Sequence, residues 1–101
     1  MEEYRAFSDM YLVASLLSYG YKIARIDKSN PRRQKFFFSM EKDADVFVFD
    51  EGNLVKKRLG VGDVEAYFLS RTLLLPGRYI DCLREIRSNI HGYVEEKGSD
   101  Y

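Results

Sequence analysis

Cys82 and His91 are the only residues of their types in the chain, which makes them the first place to look for nucleophilic chemistry. A catalytic thiol needs its base within hydrogen-bond reach. The two lie nine positions apart in a stretch that reads as one helix. At about 100° per residue they face opposite sides of it. Cys82 then reads as a small buried apolar residue, and His91 as a surface residue near a helix end, where positive charge suits the dipole. A single Cys excludes an intramolecular disulfide, and one Cys with one His supplies no zinc ligand set. No metal and no cofactor is expected.

Paired carboxylates come next: Asp43 with Asp45, Asp50 with Glu51, and Asp81 with Glu85. The last pair is flanked by Arg78 and Arg84 on the polar face of a helix, which favours ordinary surface ion pairs. The middle pair opens Asp50-Glu51-Gly52-Asn53, a turn without the ligand spacing of a calcium loop. Gly60-Val61-Gly62 runs into Asp63, where a phosphate-cradling loop needs a lysine. No base–nucleophile pair emerges, and the sequence points away from an enzyme.

The cations are the positive feature. Between Lys22 and Lys35 stand Lys22, Arg25, Lys28, Arg32, Arg33 and Lys35 against Asp27 alone, a local net charge of +5 in a chain whose total is zero. Lys and Arg concentrated on one projecting β-ribbon suit phosphate contact and entry into a major groove. Phe36, Phe37 and Phe38 could add a stacking face. Lys28, Arg32, Arg33 and Lys35 are the candidate nucleic-acid-binding residues. The competing reading is that edge-strand cations keep a sheet soluble, with three Phe in a strand covered on both faces.

These residues must be placed by a small set of elements. Ser8-Asp9 can cap a helix from about Asp9 to Tyr19, and Gly20 can end it. Tyr21–Ile26 and Gln34–Ser39 read as the strands of an antiparallel hairpin around a loop containing Pro31. Val46–Phe49 suggests a third short strand. Leu54–Leu59 is open between strand and helix. Asp63 can cap a helix through Leu69, Leu73–Leu75 reads as an apolar connector, and Pro76-Gly77 precedes a last helix from about Arg78 to Val94. On that helix Ile80, Leu83, Ile86, Ile90 and Val94 share a face. Residues 95–101 read as a frayed tail. The expected fold is α+β with one core, drawn from Val13, Leu17, Ile23, Phe36, Phe38, Leu83, Ile86 and Ile90.

The first helix carries two apolar stripes, Met10-Val13-Ala14-Leu17 and Leu12-Leu16-Tyr19. Either it is clasped at the centre of the domain, or Leu12, Leu16 and Tyr19 face a partner, with a twofold homodimer as the commonest form.

The run Ser8-Asp9-Met10-Tyr11-Leu12-Val13-Ala14, continuing to Gly20, resembles a small family of prokaryotic and phage-associated domains of unknown function. So do Phe36-Phe37-Phe38 and Pro76-Gly77-Arg78-Tyr79-Ile80-Asp81-Cys82-Leu83-Arg84-Glu85-Ile86. The likeness covers roughly residues 4–40 and 62–93, while the stretch from Val46 to Leu59 is longer than the family pattern. It implies the element order above and a cytoplasmic, mobile-element setting, and it implies no activity.

At 101 residues the chain suits one domain. Sixteen basic and sixteen acidic residues argue against a wholesale polyanion binder, and 46% hydrophobic with 15% aromatic composition marks a globular chain. The N-terminus is acidic, and the longest uncharged run, Met10 to Tyr21, is too short and too rich in Ser for a membrane span. The reading is a cytoplasmic, non-enzymatic binding module. Nucleic acid is the sharper ligand, and protein contact or homodimerisation is the alternative.

Overall fold

The computed structural model describes residues 2–30 and 32–88. The order is β1 (Tyr4–Phe7), α1 (Met10–Ser18), β2 (Arg25–Asp27), β3 (Lys35–Ser39), β4 (Asp43–Asp50), β5 (Asn53–Gly60), α2 (Val61–Leu69) and α3 (Arg78–Ser88). The α+β expectation holds, with the strands divided between two antiparallel sheets ordered β1-β3-β2 and β4-β5.

α1 begins and ends as its residues dictate. The Asp9 carboxylate accepts from the Tyr11 and Leu12 N–H groups at 2.9 and 3.4 Å, which satisfies two of the orphan donors of the first turn. At the other end Gly20 takes φ +98°, its N–H reaching the Leu17 carbonyl and that of Tyr21 the Leu16 carbonyl. That is the paired-bond helix stop that only a left-handed residue allows. From Leu12 to Ser18 every residue is buried. The two interior serines are satisfied within the helix, Ser15 by the Leu12 carbonyl at 2.8 Å and Ser18 by that of Ser15 at 2.7 Å.

β3 is the centre of its sheet. Phe36 pairs with Phe7 and Ile26, and Phe37 with Ala6 and Arg25. Alternation sends Phe36 and Phe38 into the core, at 3% and 1% exposure, and turns Phe37 outward. The hairpin expected from 21–26 and 34–39 is present but shorter, and β1 was not foreseen. The third strand is also present, but it belongs to a second hairpin. Leu54–Leu59, left open by the sequence, is strand, and β4 and β5 run eight residues each around Glu51-Gly52. Both turn residues have positive φ, +51° and +82°, the twist that suits a two-residue connection.

Asp63 does not cap α2. The strand-to-helix change happens at Gly60, which makes no side-chain cap bond, and Asp63 sits in the first turn. The 73–75 connector lies along β4: the Phe49 N–H donates to the Thr72 carbonyl at 2.7 Å, and the Leu74 N–H to that of Phe47 at 2.9 Å.

α3 packs against α1 through Tyr79, Cys82, Leu83 and Ile86, while Ile80 is 51% exposed. The expected face was therefore rotated toward Cys82, which has no exposure at all. A small side chain at the centre of a helix crossing permits close approach. Leu83 and Ile86 are partly buried against the core. Ile90, Val94 and the tail at 95–101 lie outside the described residues, as do His91 and Pro31.

Candidate nucleic-acid interface

The loop from Lys28 to Gln34 is built from local polar bonds. Ser29 N–H donates to the Asp27 carboxylate at 2.9 Å, and Arg32 N–H to the Asn30 side-chain oxygen at 3.1 Å. The Arg33 N–H reaches the Asn30 carbonyl at 3.0 Å. Asp and Asn thus satisfy the backbone, and the cationic side chains point to solvent. The Ser29 bonds, aided by Lys35 and Arg25, hold the Asp27 carboxyl below its ordinary range. The lone carboxylate of this segment is thereby committed to shaping the turn.

Lys28, Arg32, Arg33 and Lys35 are all exposed. Arg32 and Arg33 do not stand on a plain projecting tip. They border a cleft of about 290 Å³ whose other walls are Ser8, Met10, Gln34, Phe36, Ile86 and Arg87. The cleft lies where the hairpin loop, the start of α1 and the last turn of α3 meet. Among the described residues its charged lining is three arginines, with no carboxylate. Arginine forks match phosphate oxygens in bidentate geometry.

Arg87 escaped the sequence reading. Its helix was expected, but no local pattern says that the end of that helix meets the 28–34 loop. The proposed stacking face also needs correction. Phe36 and Phe38 are core, and Phe37 alone faces out, with the Arg25 guanidinium 3.9 Å from its ring centroid. That cation–π contact already occupies the face a base would use.

The partner face on α1 is corrected too. Leu12 and Leu16 are 3% and 0% exposed, so the clasped-helix alternative is the one realised. Tyr19 is partly buried, and its hydroxyl donates to the Leu74 carbonyl at 2.5 Å, tying α1 to the 73–75 connector. Burial raises that phenol above its ordinary pKa.

Two members of the paired carboxylates meet cations. Asp45 pairs with Arg58 at 3.3 Å and Asp50 with Lys57 at 3.1 Å, all partly exposed and so worth little. A second cleft beside Gly20, Tyr21 and Val61 mixes Lys22 and Lys42 with Asp43, and so has no single-sign field. Among the described residues no group of three or more His, Cys, Asp or Glu is placed to hold a metal, and no helix is long and apolar enough to cross a membrane.

Compared with models of known families, with curated proteins and with solved structures, the chain matches none.

Proposed function

We propose that this chain is a non-enzymatic, cytoplasmic binding module that takes hold of nucleic-acid phosphates at the cleft of Arg32, Arg33 and Arg87, with Lys28 and Lys35 adding to the field. The observation that carries the reading is the lining of that cleft: three guanidinium groups from two separate elements and, among the described residues, no carboxylate. The zero net charge sets its scale. Binding is local, confined to a few phosphates, and not a wrapping of polyanion around the molecule.

The test is oligonucleotide binding, followed by fluorescence anisotropy between about 50 and 200 mM salt, for a duplex and a single strand. Each phosphate contact contributes roughly −0.9 to the log–log salt slope for duplex and roughly −0.7 for a single strand. Replacing Arg32 and Arg33 together by Ala should flatten the slope by up to about two such contacts, and Arg87→Ala by about one, for all sequences alike. Absence of binding at the lowest salt, where attraction is strongest, overturns the reading.

One observation favours a second reading, contact with another copy of the chain. Tyr11, Leu69 and Leu75 are 55%, 67% and 43% exposed and border one groove of about 510 Å³ with Phe68 and Leu73, beside Asp9 and Arg71. Exposed apolar groups gathered in one place mark contact surfaces. Leu69→Glu should convert a dimer to monomer in light scattering with the fold intact, and a wild-type protein that is monomeric at high concentration removes this reading.

A further inference from the structure

The β4–β5 hairpin has a free edge, and its geometry says which groups are free. The two-residue turn makes Asp50 and Asn53 a pair that exchanges both backbone bonds, and pairing alternates from there. Val48–Val55, Val46–Lys57 and Ala44–Leu59 are then the bonded pairs. Phe49, Phe47 and Asp45 on β4, and Leu54, Lys56 and Arg58 on β5, direct their backbone groups away from the ladder. The β4 side shows the consequence, because Phe49 and Phe47 bond to Thr72 and Leu74. On the β5 side no backbone bond is formed by Leu54, Lys56 or Arg58 among the described residues. β4 and α2 are the elements packed on β5, and neither takes this edge.

The same three residues share the outward face with Phe47 and Phe49, which are 39% and 43% exposed, and Leu54 is 50% exposed. Lys56 stands opposite Phe47. Asp45 meets Arg58 and Asp50 meets Lys57, which leaves Lys56 as the cation of the Lys56-Lys57-Arg58 run with no carboxylate partner among the described residues.

We propose that β5 is a docking edge for an extended acidic segment of another protein, which adds to the sheet as a strand. Its backbone would bond to Leu54, Lys56 and Arg58, with acidic side chains beside Lys56 and Arg58 and an apolar one beside Leu54. Strand addition draws affinity from the main chain and specificity from alternate side chains. Charge decides the occupant. Two copies of β5 paired antiparallel about Lys56 would set lysine against lysine, and like charges directly opposite are destabilising. An acidic strand meets the same residues with attraction.

The probe is the blocked peptide Thr-Glu-Thr-Glu-Thr-Val-Thr, and the readout is amide hydrogen exchange with NMR shift mapping on the intact chain. The peptide should slow exchange at Leu54, Lys56 and Arg58 and leave Val55 and Lys57, already bonded to β4, unchanged. Methylating the peptide's alternate amides, or replacing its Glu by Lys, should remove the effect. Lys56→Pro takes away one outward N–H without touching the ladder and should abolish the protection. Lys56→Glu, which keeps the backbone, should weaken binding about tenfold at low salt. The proposal is overturned by no binding at millimolar peptide, or by protection without the alternation. Protection that grows with protein concentration alone would assign the edge to a second copy, and shifts at Phe47 and Phe49 produced only by a single-stranded oligonucleotide would assign the face to base stacking.

Discussion

The two hairpins of this protein are made of similar material and put to opposite uses. Phe36-Phe37-Phe38 in β3 and Val46-Phe47-Val48-Phe49 in β4 are both aromatic runs whose first residue faces the core. In β3 two of three phenylalanines are core, because one face joins the buried cluster that holds the α1 side chains and β1 and β2 flank the strand. In β4 alternation hands the core to Val46 and Val48, both with no exposure, and leaves the phenylalanines outside. Aromatic content alone therefore does not say which face is buried. The phase of the alternation does, and that phase is fixed by what the strand packs against.

Three substitutions should separate the buried region from the exposed one by size of effect. Leu16→Glu buries an unpaired charge at the centre of α1, and the cost of several kcal/mol is comparable to the whole stability of a small domain. Circular dichroism should show the helical signal lost. A folded Leu16→Glu protein of reduced mass would instead restore the partner face. Phe38→Ala, at 1% exposure and edge-on to Phe7 with 6.1 Å between ring centroids, should cost about 3–5 kcal/mol in denaturant unfolding. Phe47→Ala should cost no more than about 1 kcal/mol. Equal losses for the two would mean that the outward face of β4 is covered.

How far the sequence carried the fold follows the same division. α1 was legible to within a residue at each end because its cap and its stop are local chemistry, at Ser8-Asp9 and Gly20. The Glu51-Gly52 turn was legible for the same reason. β1 was not, because Tyr4-Arg5-Ala6-Phe7 offers four residues with one buried side chain, and its strand character comes from pairing with β3. The candidate site was half legible. Arg32 and Arg33 announce themselves by local charge density, whereas Arg87 joins them through tertiary contact alone. The rotation of α3 had a signal, since Tyr79, Cys82, Leu83 and Ile86 also follow helical spacing, but the larger isoleucines outweighed a cysteine.

A pH series sharpens the comparison at the junction of the two hairpins. Tyr21 lies between them, 3% exposed, its hydroxyl donating to the Leu59 carbonyl at 2.5 Å. Burial pushes its pKa from 10.0 to about 12. The folded state thus holds this proton more tightly than the unfolded chain does. Its contribution is complete below pH 10 and falls away as pH rises toward about 12. Tyr21→Phe should be less stable than the wild type at pH 8 by about 0.5–1.5 kcal/mol, the worth of one hydrogen bond. The gap should close between about pH 10 and about 12. A gap that stays constant over that range would mean the phenol does not titrate with unfolding.

The smallest effect is expected at the turn that sets the second hairpin apart from the first. The first hairpin's loop bonds its Ser29, Arg32 and Arg33 N–H groups to Asp27 and Asn30. The β4–β5 turn requires positive φ twice, and Gly52 supplies it at +82° without strain, while Glu51 adopts +51° with a full side chain. Asparagine tolerates the left-handed region better than glutamate does and is favoured ahead of Gly in this turn. Glu51→Asn should therefore stabilise the protein, by a few tenths of a kcal/mol to about 1 kcal/mol. The change also removes a negative charge near Asp50, which alters the Lys57 pair little because that pair is exposed. Denaturant midpoints resolve such a gain when the slope of the unfolding curve is unchanged. A loss of stability would show that the Glu51 side chain contributes something besides its backbone geometry, and the turn would then be held by charge as the first loop is held by hydrogen bonds.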